Sequence, residues 1–144
     1  MPLLTCSKRY TDIPFAHRQH KHDGHCAKIH GHNWSFILTF ACDQTDECSF
    51  VVDFGKLAPI KAELTKLDHA LLLNESDPNR DYLQQRLAGL AYIIIVPDCS
   101  CEGLLAHLFP ILDAILRDMA PERGLRLHSL TIEEDSKNFA TLTA

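Results

Sequence analysis

The stretch His30-Gly31-His32-Asn33-Trp34-Ser35-Phe36-Ile37-Leu38-Thr39-Phe40-Ala41-Cys42 decides the fold. Trp34, Phe36, Leu38 and Phe40 recur at every second residue, with Ser35, Ile37, Thr39 and Ala41 between them. That period predicts a strand over 32–42 with one face turned to a core. The two histidines leading into it are two residues apart, so on a strand their side chains share a face. Gly31 between them lets another backbone or a ligand approach closely. A solvated His-rich loop that collects metal without fixed geometry is the competing reading. The direct join to a core strand counts against it.

Six of the nine histidines lie between positions 17 and 32, with Cys26 among them. Neutral imidazole is the commonest metal ligand, and three protein ligands leave a position open for substrate. With His30 and His32 on one strand, a third ligand has to come from another element, and His17 ends an expected first strand over 3–16. His20, His22 and His25 sit within the 18–29 loop and read as solvent-exposed.

The chain has 144 residues, 46% of them hydrophobic and 23% charged, which suits one domain with a sizeable core. A net charge of -5 argues against a general nucleic-acid binder. No run of about 18 apolar residues is present, so no transmembrane helix is expected. The segment from Met1 to Arg9 lacks the basic-then-apolar pattern of a signal peptide. Six cysteines are scattered with no C-x-x-C pair, and Cys99 and Cys101 flank a single residue. A reduced, cytoplasmic protein is therefore expected. Cys6 and Cys42 read as core residues.

Downstream of the second strand, 43–47 is a polar loop and 50–54 a short extended piece. Leu57, Ile60, Leu64 and Leu67 predict an amphipathic helix over 55–67, ended by Asp68-His69. Residues 70–82 read as a loop, 82–88 as a short helix, and 92–96 as a short strand closed by Pro97. Asp98 or Ser100 is the expected cap of a helix striped by Leu104, Leu105, Leu108, Leu112, Ile115, Leu116 and Met119, with Pro110 inside it. Strands are expected over 125–134 and in the tail 138–144. The expected class is α+β, a four-stranded antiparallel sheet with two helices on one face in the order ββααββ. There is no internal repeat and no linker, so 1–144 reads as a single domain.

Cys26-Ala27-Lys28-Ile29-His30-Gly31-His32, Val52-Asp53-Phe54, Leu67-Asp68-His69 and the late Glu134 together resemble the 6-pyruvoyltetrahydropterin synthase / 6-carboxytetrahydropterin synthase family, from about Phe15 to Ala140. The resemblance implies zinc held by His17, His30 and His32, a catalytic Cys26, and a catalytic Asp68-His69 pair. It also implies that Glu134 anchors a pterin ring. Ser100, Cys101 and Glu102 fall where the family has a hydroxyl-hydroxyl-acid turn opening the second helix. Glu102 aligns with it, while Cys101 departs from it. The implied substrate is 7,8-dihydroneopterin triphosphate, a small molecule; Arg18, Lys21 and Lys28 are the cations near the motif. The implied assembly is the tunnelling fold, three subunits closing a twelve-stranded barrel and two such rings stacking, with sites at subunit interfaces.

The chemistry suits these residue types. A thiolate beside a metal can act as a base, because positive charge favours the ionised form. An imidazole held by a carboxylate can move a second proton. A pterin edge presents N–H donors that a carboxylate accepts well. Period two places Glu134 on the face of Leu130 and Ile132, with Glu133 turned the other way. Read on residues alone, Asp68-His69 is better explained by a polar helix end than by catalysis. Three residues separate Cys26 from His30, and this spacing and Val52-Asp53-Phe54 resemble the bacterial 6-carboxytetrahydropterin synthase branch. That branch forms its carboxy product with loss of acetaldehyde and triphosphate, on the path to queuosine. The pyruvoyl product and a non-catalytic zinc- or pterin-binding module on the same fold are the alternatives, and a histidine-rich metal buffer is a third class.

Overall fold

Two long strands carry the molecule. In the computed structural model, which describes residues 2–144, β1 (Thr5–His17) and β2 (His30–Ala41) pair antiparallel from Thr5↔Ala41 to His17↔His30. Trp34, Phe36, Leu38 and Phe40 are each 0% exposed. Burying a large apolar side chain stabilises by roughly 1.5–3 kcal/mol, so a one-residue slip that exposed all four would forfeit roughly 6–12 kcal/mol. That is comparable with the whole stability of a domain, about 5–15 kcal/mol, and it explains why the register is unique.

The register shifts once, between Tyr10 and Ile13, where Asp12 takes a left-handed φ of 60°. Before this bulge the inward residue is Tyr10; after it the inward residues are Ile13, Phe15 and His17. An extra residue in a strand re-aims every side chain beyond it. Here it turns His17, rather than Ala16, toward the core.

The sheet has six strands in the order β4-β3-β1-β2-β5-β6, adding β3 (Ala70–Asn74), β4 (Tyr92–Val96), β5 (Arg126–Glu133) and β6 (Phe139–Thr143). This corrects the expectation of a four-stranded antiparallel sheet, because β1–β3 and β3–β4 are parallel pairs. It also corrects the loop expected over 70–82. All five residues of β3 are buried, as a parallel strand covered on both faces must be.

Among the described residues there are three α-helices, α1 (Ala58–Thr65), α2 (Arg80–Arg86) and α3 (Cys101–Met119); α2 overlaps the short helix expected over 82–88 and adds a third to the two of the expected ββααββ order. Ser100 caps α3, its hydroxyl accepting from Gly103 N at 2.9 Å. Leu104, Leu105, Leu108, Leu112 and Leu116 form the buried stripe of α3, packed in one cluster with Ile60 and Leu64 of α1 and the inner face of β1, β2 and β5. The helix runs unbroken through Pro110, which lies on its exposed side, where water can take the carbonyl freed by the missing N–H. Across the sheet, Ser35, Ile37 and Thr39 stay half-buried. Among the described residues no helix is long and apolar enough to cross a membrane.

Candidate metal centre and active site

The end of the β1–β2 ladder builds the site. His17 stands directly opposite His30, and His32 is two residues further along β2 on the same face as His30 and Trp34. Ligand nitrogens of His17, His30 and His32 all lie within 4.8 Å of one another. Trp34 floors the cluster, with its ring 5.0 Å from that of His17 and 5.4 Å from that of His32. Its indole N–H donates to the Phe15 carbonyl at 3.1 Å, which fixes the floor.

Two of the imidazoles are oriented from behind. His17 Nδ1–H donates to the Cys99 carbonyl at 2.7 Å, and His30 Nδ1–H donates to the Lys28 carbonyl at 2.6 Å. Spending Nδ1 on a carbonyl leaves Nε2 with a free lone pair, the state that binds a metal. Burial pushes the His17 imidazole down to about 4; the bond to Cys99 opposes that shift, and His30 and His32 add to it. His17 is therefore neutral at neutral pH. The Nε2 atoms of His17 and His32 are buried and have no hydrogen-bond partner among the described residues. Glu134 Oε1 stands 3.4 Å from the first and 3.6 Å from the second, out of hydrogen-bonding alignment. Three imidazole nitrogens, two of them buried without a partner, beside a carboxylate fit a divalent cation such as zinc.

A cavity of about 400 Å³ opens beside the triad. His17, Cys26, Ser100, Cys101, Glu102 and Glu134 line it, so a single chain gathers most of the residues expected at the site. Cys26 is exposed, in a 3₁₀ turn over His25–Ala27. Burial pushes the thiols of Cys99 and Cys101 up to about 11, which keeps both protonated. Cys101 donates its S–H to the Ile132 carbonyl at 3.3 Å, and the Ser100 hydroxyl is occupied as the helix cap. Cys26 is thus the accessible thiol of this wall.

The wall in front of α3 is braced by Asp98. Its Oδ1 accepts from Ser100 N at 2.9 Å and from Gln19 Nε2 at 2.9 Å. Burial alone would raise the Asp98 carboxyl, but these hydrogen bonds prevail and hold it below the usual range. Gly103 is required for this packing, since a Cβ there would meet the Asp98 side chain at 2.5 Å.

The cavity also contains His22, which is exposed as expected but borders the cavity, and residues without a sequence signal: Gln19 from the loop, and Lys137, Asn138 and Phe139 from the β5–β6 hairpin. Asp135 Oδ1 accepts from the backbone N–H groups of Lys137 and Asn138, each at 2.8 Å, and so shapes the hairpin tip. Among the described residues, Lys137 is the one lysine or arginine on the cavity wall. Arg18 is occupied elsewhere, with Nε 2.8 Å from the buried Asp77 Oδ2. Lys21 and Lys28 are exposed and do not line the cavity. Glu133 points away from it and pairs with Arg9.

Asp68 and His69 are not part of this cavity. They follow α1, where His69 N donates to the Pro14 carbonyl at 2.7 Å, and Asp68 lines a separate groove with Arg9 and Tyr10. His69 has a φ of 62°, a conformation uncommon outside glycine that is often retained at functional sites.

Comparison with known proteins points to one family. The family model for 6-pyruvoyl tetrahydropterin synthase matches residues 5–144. A Halobacterium salinarum protein described as a probable 6-carboxy-5,6,7,8-tetrahydropterin synthase is 31% identical over 110 residues, covering 76% of this chain and 68% of that protein. The Rickettsia conorii 6-carboxy-5,6,7,8-tetrahydropterin synthase is 23% identical over 108 residues, covering 74% and 78%. Among solved structures, an uncharacterized protein of Wolinella succinogenes superposes with a TM-score of 0.82 at 16% identity over 99% of both chains. The Caenorhabditis elegans 6-pyruvoyl tetrahydropterin synthase does so with a TM-score of 0.67 at 21% identity, over 100% of this chain and 97% of that one.

Proposed function

The chain belongs to the 6-pyruvoyl tetrahydropterin synthase family, and on that premise we propose that it is the zinc-dependent lyase that converts 7,8-dihydroneopterin triphosphate to 6-carboxy-5,6,7,8-tetrahydropterin. One water is consumed, acetaldehyde and triphosphate leave, and the product feeds 7-deazaguanine nucleosides such as queuosine. One observation carries the reading: three histidines present ligand nitrogens within 4.8 Å of one another, beside a cavity that also holds Cys26 and Glu134. The names of the curated relatives favour the carboxy product over the pyruvoyl one.

His17, His30 and His32 would hold the metal. When bound, zinc supplies Lewis-acid polarisation of the substrate's side-chain oxygens. Cys26, on the wall beside the triad, removes a proton from the side-chain carbon held there. Glu134 accepts the N–H donors of the pterin edge, a charge-assisted contact. Ser100, Cys101 and Glu102 shape the end of the cavity at the start of α3. Lys137 meets the triphosphate, since it is the cation on the wall. Asp68 orients His69, which moves the second proton, and a second copy of the chain supplies this pair in a ring of subunits that closes through the sheet edges.

The test is turnover of 7,8-dihydroneopterin triphosphate by the zinc-loaded protein and by the same protein stripped with a chelator. Release of triphosphate by the loaded form alone is the expected result. Failure of a preparation holding one zinc per chain to consume the substrate overturns the reading.

A further inference from the structure

Among the described residues, the buried polar or charged side chains are His17 (3% exposed), Asn74 (5%) and Asp77 (4%). They belong to one connected network around the metal centre. Asn74 ends β3, a strand that contributes no ligand to the triad. Its Oδ1 accepts from Cys99 N at 2.7 Å, and the Cys99 carbonyl accepts from His17 Nδ1 at 2.7 Å. Both backbone polar groups of Cys99 are thereby committed, one to Asn74 and one to the metal-site imidazole. Asn74 Nδ2 donates to Gln19 Oε1 at 3.2 Å, and Gln19 in turn donates to Asp98 in front of α3. The Cys99 thiol closes the circuit by donating to the Arg18 carbonyl at 3.2 Å, one residue beyond His17. Asp77 N donates to the Asn74 carbonyl at 3.0 Å, and Asp77 pairs with Arg18.

We infer that Asn74 is a positioning residue for the metal centre, setting the direction of His17 Nε2 through the Cys99 backbone. The inference rests on the reading of His17 as a metal ligand. The amide suits the position because it offers an acceptor to Cys99 N–H and a donor to Gln19 at once. A buried amide with both functions used is costly to replace with an apolar group, because each partner is then left unsatisfied. Groups that orient a ligating histidine from behind typically change metal affinity about 10–100-fold when removed.

The experiment measures Zn²⁺ affinity by chelator competition, and the visible spectrum of the Co²⁺-substituted protein, for wild type, Asn74→Ala and Asn74→Asp. Asn74→Ala is expected to fold and to hold Zn²⁺ about 10–100-fold more weakly, with an altered Co²⁺ spectrum. Asn74→Asp keeps the acceptor for Cys99 N–H, so it is expected to bind Zn²⁺ no more weakly than wild type and to keep the wild-type Co²⁺ spectrum. Folded Asn74→Ala with wild-type affinity and spectrum overturns the inference. If Asn74→Ala does not fold, Asn74→Gln decides, because it keeps the amide but displaces the acceptor from Cys99 N–H; it is expected to weaken Zn²⁺ binding and alter the Co²⁺ spectrum, and wild-type affinity and spectrum in the folded variant overturn the inference. A wild-type protein that binds neither ion overturns the metal-ligand reading itself, a result distinct from an intact site that is indifferent to Asn74.

Discussion

Asp68 Oδ1 lies 2.5 Å from His69 Nδ1, and the side chain of His69 is 84% exposed. An imidazole held by a carboxylate in this way is an oriented proton carrier, with its other nitrogen turned to solvent. Cys26 and His17 line a different cavity from the groove that Asp68 lines, so the pair stands apart from them among the described residues. Under the proposed function the pair serves the site of a second copy. Inactive Cys26→Ala chains mixed and re-assorted with inactive His69→Ala chains should recover about a quarter of wild-type activity, the share of interfaces that random assembly leaves intact. Recovery of none at all, from chains shown to mix, would place both residues in one chain's site.

The metal centre predicts one Zn²⁺ per chain at Zn–N distances of about 2.0–2.1 Å by X-ray absorption. Alanine at His17, His30 or His32 should abolish tight binding. His25→Ala should leave it unchanged, since His25 is exposed and outside the triad. Zinc loss on changing His20, His22 or His25 instead would sink the assignment.

Cys26 lies on the cavity wall and not within the ligand cluster. Cys26→Ala should therefore retain zinc and fold while turnover drops about 10²–10⁴-fold, the range for loss of a general acid or base. Zinc content measured beside the rate separates the two roles, and a variant that loses both shows Cys26 to be a ligand.

His17 makes the metal-free protein acid-sensitive. Its imidazole is pushed down to about 4 in the fold, whereas the unfolded chain takes up that proton near pH 6.5. Between those values the unfolded state binds more protons, so stability falls as the pH drops from about 6.5 to about 4, by on the order of 3 kcal/mol. Urea unfolding of the stripped protein at several pH values should show this loss, and His17→Gln should show less of it. An identical pH slope in both proteins contradicts the assignment.

The parts of this molecule that repeat were legible in the sequence, and the parts built by long-range register were not. The alternation from Trp34 to Phe40 announced β2, and the leucine stripe announced α3. β3 carries four apolar residues in a row with no alternation, followed by turn-rich Asn74–Asp81, so period two had nothing to detect. The bulge between Tyr10 and Ile13 turns His17 inward, and no local composition marks it. His30, His32 and Cys26 stood out because they are crowded into a short motif. Gln19, Lys137, Asn138 and Phe139 reach the cavity only because the β5–β6 hairpin and the histidine loop meet in space.

The chemistry after the first steps decides the account. Zinc-loaded protein incubated with 7,8-dihydroneopterin triphosphate should yield a pterin with the mass of 6-carboxy-5,6,7,8-tetrahydropterin, with acetaldehyde in equal amount. A pterin retaining the full side chain as the pyruvoyl product, with no acetaldehyde released, would contradict it.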